Sequence, residues 1–228
     1  MTNTESWREV WRRKGRAASG RSSYRTKDLF AADGFDGAMA QTDAAAQSHI
    51  RHLIVENLRI EPGMRVLEVG CGAGAVLSLL VETGAALTGV DYSEPHITIA
   101  RKVLPDVDLR VGEAAVLPFD AGAFDAVFSY GVFLYFPDLA YAARVLAEML
   151  RVARPGAPLL IMDIPDEATR EECEVARRNA RASMNPPHCY YPRAFFESFA
   201  AEHGHAGHVF DQQVPGYLNS RFRFNALL

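Results

Sequence analysis

Residues 66–74, VLEVGCGAG, run from a short apolar strand through an acidic residue, Glu68, into three glycines, Gly70, Gly72 and Gly74. Glycine is needed where backbone turns with positive φ or lies flat against a ligand, so this is a ligand-cradling loop between a strand and a helix. The acid narrows the choice of ligand. A carboxylate at the end of the first strand repels a dinucleotide pyrophosphate and suits the ammonium end of an amino-acid-like ligand.

Outward from that loop, strands and helices alternate. A helix is expected over about 73–83, then the strand ALTGVD, a helix over 94–103 and the strand VDLRVG. FDAVFS, a long helix over 139–153 and PLLIMDI follow. Strands that are nearly continuous apolar runs, separated by helices, predict a parallel sheet covered on both faces. The tail differs: HVFDQQV and SRFRFNALL are joined by only a few residues, which fits a hairpin and is too short for a parallel crossover. The fold class is therefore α/β, a doubly wound, mostly parallel, seven-stranded Rossmann-like sheet whose last strand is antiparallel.

Acids recur at strand ends. Asp91 closes the second strand, 21 positions beyond Gly70; Glu113 follows the third; FDAVFSYG forms the fourth and ends in Ser129 and Tyr130. With Glu68 and the glycine loop, this series resembles the class I S-adenosylmethionine (SAM) dependent methyltransferases, in particular bacterial enzymes that act on small molecules. The resemblance covers about 40–165 well. It implies SAM as cofactor, leaving S-adenosylhomocysteine. The backbone from Gly70 through Cys71 and Gly72 to Gly74 would meet the methionine carboxylate. Asp91 would accept from the ribose hydroxyls, with Tyr92 beside it, and Glu113 and Ala114 would flank the adenine. Ser129 and Tyr130 would lie next to the methionine moiety. Glu113 stands where the family usually has Asp, so only the acidic type carries over. The glycine loop alone also satisfies a looser nicotinamide fingerprint, and Asp91 alone could simply cap the next helix.

Composition is that of an ordinary globular protein: 228 residues, 49% hydrophobic and 23% charged. No apolar run is long enough to span a bilayer, which gives a cytoplasmic expectation. Cys71, Cys173 and Cys189 are odd in number and lack CxxC spacing, arguing against a disulfide framework and a zinc site. His203, His205 and His208 lack an accompanying carboxylate or cysteine at ligand spacing, so no metal is assigned. Residues 1–27 carry eight Lys or Arg against two Glu, whereas the whole chain has a net charge of −4. Trp7 and Trp11, one helical turn apart, either pack an amphipathic helix on the body or belong to a basic arm that steers an anionic substrate. Residues 1–45 are assigned to this arm and lid, and 46–228 to the catalytic domain. Within that domain, residues 163–191 form a cap insertion at the place where a helix crossing back over the sheet is expected.

Chemistry at the acceptor is less determined. Tyr130 faces the methyl group by the resemblance. Tyr135 stands where related enzymes often carry His, which disfavours a His mechanism there. His188, in PPHCYY, is the leading base candidate, and Asp163 ends the fifth strand on the same side of the sheet. Tyr24, Tyr135, Arg181 and Tyr190 are expected to contact substrate. Arg177, Arg178 and Arg181 either bind an anion or pair with Glu171, Glu172 and Glu174 on one helix. The reaction expected is methyl transfer to a small-molecule hydroxyl on a sugar or natural-product scaffold, with no membrane partner. An RNA or protein methyltransferase and an NAD-dependent oxidoreductase are the alternatives; nucleic acid is disfavoured by the acidic remainder of the chain.

Overall fold

A computed structural model describes residues 3–37, 39–180 and 186–228. Its centre is a seven-stranded sheet of β1 (Arg65–Val69), β2 (Ala86–Asp91), β3 (Asp108–Val111), β4 (Ala126–Tyr130), β5 (Leu159–Pro165), β6 (His208–Asp211) and β7 (Arg223–Leu227). The spatial order is β3-β2-β1-β4-β5-β7-β6, and β7 runs antiparallel to both neighbours. The chain reverses direction across the sheet between β1 and β4, so ligand chemistry belongs at the carboxyl ends of those strands.

Period-two alternation splits the core into two layers. Leu67 and Val69 of β1, Val127 of β4 and Ile161 of β5 point to one face. There they meet α6 (Leu139–Val152) and α8 (Arg193–Glu202). Val66, Phe128 and Leu160 point to the other. That face packs on α3 (Ala44–Leu58), α4 (Ala75–Leu80) and α5 (Glu94–Val103). Local signals set the helix starts. Asp43 caps α3 by accepting from the Ala46 N–H at 2.8 Å, Asp138 caps α6 through Tyr141 N–H, and Pro95 sits in the first turn of α5.

The crossover from β5 to β6 is completed by α8, whose Phe196 and Phe199 are buried against the sheet. The charged stretch after β5 is a separate helix, α7 (Arg170–Asn179), whose one buried side chain is Cys173. The described residues of 163–191 therefore do not supply the sheet-covering helix.

The N-terminal segment forms α1 (Asn3–Ala18) and α2 (Thr26–Ala32). α1 lies on α5, and Gly15 makes this possible: a Cβ there would come within 2.6 Å of the His96 ring. No described helix is long and apolar enough to cross a membrane.

Candidate active site

The glycine loop leaves β1 and enters α4 with Gly70, Gly72 and Gly74 all at positive φ. At Gly70 a side chain would collide with Val132, and at Gly72 with the Asp33 carboxylate, so the loop lies flat against its surroundings. Gly70, Cys71 and Gly72 line a crevice together with Glu68, Asp91, Tyr92, Glu113, Ala114, Tyr130 and Tyr135. Nine of the eleven residues expected to hold the cofactor thus border one hollow at the expected end of the sheet.

Two do not. Gly74 starts α4 and packs toward Leu104. Ser129 is buried, and its hydroxyl donates to the Val69 carbonyl at 2.8 Å, tying β4 to β1. On β4 the alternation turns Tyr130 to the crevice and Ser129 away from it.

Carboxylates dominate the electrostatics. Glu68 is buried, and its Oε2 has no hydrogen-bond partner among the described residues. Desolvation, followed by the nearby charges of Asp33 and Asp91, raises its pKa well above the usual carboxylate range. Asp33 comes from the loop after α2. Its Oδ1 accepts from Ala73 N–H at 2.6 Å and its Oδ2 from Ala75 N–H at 3.1 Å. Burial pushes that carboxyl up to about 6, against the lowering effects of His96 and the two amides. Asp91 accepts from Gly72 N–H at 3.1 Å and from Ser93 N–H at 2.8 Å, and burial raises it as well. A carboxylate has about four lone-pair positions, so helix capping leaves Asp91 room for two further donors. A cationic ligand with hydroxyl donors would relieve this crowding of acids, whereas a diphosphate would aggravate it.

The helix α1 closes the crevice. Trp7 is 3% exposed, its ring centroid 4.6 Å from that of Tyr135, and its Nε1 donates to the Pro187 carbonyl. Trp11 meets Tyr135 and His96 edge-on. Arg8 donates to Glu113 with both terminal nitrogens, one at 2.6 Å, and its guanidinium lies over the Tyr92 ring. The free volume beneath is about 110 Å³. Ligand pockets ordinarily measure roughly 300–1,000 Å³, so with α1 in this position the crevice is narrow for a ligand.

Beyond Tyr135 and Trp11 a second cavity of about 560 Å³ adjoins the first. Asp163 stands at its floor, with φ 59° where β5 bulges between Ile161 and Ile164. Its Oδ1 accepts from Gln212 Nε2 at 2.9 Å and its Oδ2 from Tyr217 Oη at 3.0 Å. Burial raises its pKa, with Arg223 opposing. His188 also lines this cavity, but its Nδ1 accepts from Arg177 at 2.8 Å. Burial, then Arg177 and Arg223, hold its pKa well below the ordinary value. The ring is neutral, and this hydrogen bond places its proton on Nε2, so no lone pair is left to take a proton from a substrate.

The other expected substrate contacts separate. Tyr135 borders both hollows. Tyr24 donates to the Ala18 carbonyl and joins the packing of α2, while Tyr190 donates to Glu174. Neither reaches the cavities. Arg181 falls outside the described residues. Arg177 pairs with Glu174 at 3.2 Å, as expected for one charged helix face. Asp33, Tyr217 and Arg223 line the site without having been anticipated. Asp33 had a signal, since it opens the glycine-punctuated run 33–37, and Arg223 had one as a charge inside a strand.

Sheet order, antiparallel seventh strand and glycine crevice together define a class I methyltransferase fold. A family model described as "Methyltransferase domain" matches residues 67–161. The demethylmenaquinone methyltransferase of Renibacterium salmoninarum is 33% identical over 114 residues, 50% of this chain and 46% of that protein. The phthiotriol/phenolphthiotriol dimycocerosates methyltransferase 1 of Mycobacterium ulcerans is 37% identical over 128 residues, 54% of this chain and 44% of its own length. The chain thus spans about half the length of these curated relatives. The SAM-bound magnesium protoporphyrin IX methyltransferase from Synechocystis superposes with a TM-score of 0.63 at 14% identity, covering 100% of this chain and 96% of that one. Residues 67–161 thus match a methyltransferase domain, set in a fold shared with SAM-dependent methyltransferases.

Proposed function

We propose that the protein transfers the methyl group of SAM to a small-molecule hydroxyl bound in the 560 Å³ cavity beneath the N-terminal helices. The observation that carries this reading is the pair of adjoining hollows under one lid. One is lined by Glu68, Asp91 and the glycine loop, and the other is walled by Trp7, Trp11 and Tyr135. When bound, SAM supplies an electrophilic methyl group, so the chain has mainly to align the acceptor and exclude water.

Glu68 and the Gly70–Gly72 backbone would hold the methionine end. Asp91 would accept from the ribose hydroxyls, and Tyr92, Glu113 and Ala114 would border the adenine. The Tyr130 hydroxyl, buried in the crevice with no partner among the described residues, is free to orient the reacting end. At the acceptor, Tyr217 and Asp163 form a proton path: Tyr217 takes the hydroxyl proton as its own passes to Asp163. Burial favours the protonated form of Asp163, which suits it as the final proton holder. His188 serves as a neutral donor in the wall.

The family model covers residues 67–161, and the names of the relatives span a quinone and a lipid. Acceptor choice therefore rests on the lid and the residues after β5, and a sugar or natural-product scaffold is our assignment. Several cations of the basic arm are already paired, Arg8 with Glu113, Lys14 with Asp36 and Arg21 with Asp28, which speaks against an RNA surface.

Incubation with methyl-labelled SAM and fractionated metabolite extracts tests the proposal. It predicts label in a small molecule, and Asp163→Asn should lower turnover about 10²-fold or more with SAM affinity unchanged. Label appearing only in RNA or protein would refute it.

A further inference from the structure

The cavity beside the cofactor crevice has two unlike kinds of wall. Shared with the crevice are the aromatic rings of Trp7, Trp11, Phe35 and Tyr135. The rest of its lining includes the cations Arg177 and Arg223, with His188 stacked on Trp7.

Arg223 is the anomaly. Its side chain is 1% exposed, yet its Nε has no hydrogen-bond partner among the described residues. The nearest acid, Asp163 Oδ1, stands 3.5 Å from that nitrogen. Its Nη1 finds only the Cys173 sulfur at 3.9 Å and the Phe222 carbonyl at 3.5 Å. Asp163 offsets the charge but does not fill the donors, because at 3.5 Å its Oδ1 makes an ion pair with Nε and no hydrogen bond. A guanidinium has five N–H groups in a planar fork, and leaving them empty in a desolvated site is costly. Arg177 adds a second guanidinium whose side chain is 14% exposed, and neutral His188 presents an Nε2–H.

We infer that the basic part of this lining is a carboxylate subsite. The acceptor carries a carboxylate gripped by Arg223 and Arg177, while its flat apolar body lies against the aromatic wall of Trp7, Trp11 and Tyr135. A planar monoanion matches the guanidinium fork. A phosphate dianion fits less well, since it would stand against the buried charge of Asp163. The substrate class is therefore a hydroxylated carboxylic acid, with its hydroxyl toward the cofactor crevice. This deepens the proposed function and rests on it.

The chain has only two tryptophans, and both line this cavity, so their fluorescence reports occupancy without any turnover. The probes are 4-hydroxybenzoate and 3-(4-hydroxyphenyl)propanoate, each titrated against its methyl ester into the full chain with S-adenosylhomocysteine present. At least one acid should bind about tenfold or more tighter than its ester. Arg177→Met should shrink that preference to within about threefold, with SAM affinity by calorimetry intact. Because Arg223→Met alone would strand Asp163, it is paired with Asp163→Asn, and the double variant should abolish the preference. Acids and esters binding equally, no quenching by either acid, or a preference that survives both variants would overturn the subsite. Failure of the wild-type chain to bind SAM would instead overturn the methyltransferase reading beneath it.

Discussion

At the residue scale the site turns on where carboxylates stand and how strongly they are desolvated. Asp91 splits its oxygens between the glycine loop and the start of α5, and keeps lone pairs free, which we propose accept from a ribose. Asp91→Ala should weaken SAM binding by about 1–4 kcal/mol, the worth of one or two hydrogen bonds to a charged group, as read by calorimetry. Unchanged affinity would return Asp91 to a capping role alone. A pH dependence follows from Asp33 and Glu68, both shifted upward by burial. In the free protein each holds its proton to higher pH than in an unfolded chain. Their contribution to stability is therefore present below the unfolded carboxylate range, and for Asp33 it is lost as pH rises through about 6. A cationic cofactor favours the ionised forms, so binding expels protons. SAM affinity should rise between about pH 5 and 7, with proton release visible as heats that depend on buffer ionisation enthalpy. A flat profile would show that these acids do not face the cofactor.

At the scale of elements, the N-terminal helices pack across the mouth of the crevice. Trp7 fixes α1 to Tyr135 and to the segment carrying His188, and Arg8 latches it to Glu113. Trp7→Ala removes packing worth about 3–5 kcal/mol from the lid alone. Backbone amides of α1 should then exchange faster while those of β4 and β5 keep their protection, and the cofactor should dissociate sooner. Unaltered exchange in α1 would mean that Trp7 does not hold the lid. The elements around the glycine loop were legible in the sequence, because strand alternation, Asp43, Asp138 and Pro95 are local signals. The roles of Asp33, Tyr217 and Arg223 were not. Each depends on contacts across 40 positions or more, as with Asp33 and Ala73, that no local pattern encodes. Ser129 shows the converse: its motif placed it beside the ligand, and strand alternation turned it inward. His188 was read from residue type alone, and only the Arg177 contact shows which nitrogen carries the proton.

For the whole molecule, one sheet serves two purposes. The parallel half from β3 to β4 ends in acids and glycines around the cofactor crevice, and the half from β5 to β7 supplies Asp163 and Arg223 to the neighbouring cavity. Trp7 and Trp11 of α1 border both, so under the proposed function cofactor and acceptor would meet where the walls are shared. The central claim is that the acid-lined crevice takes a sulfonium-bearing amino acid nucleoside in preference to a dinucleotide. Calorimetric titration of the full chain with SAM, S-adenosylhomocysteine and NAD tests it most directly. SAM and its demethylated product should bind in the micromolar range and NAD should give no heat; NAD binding without SAM binding would contradict the account.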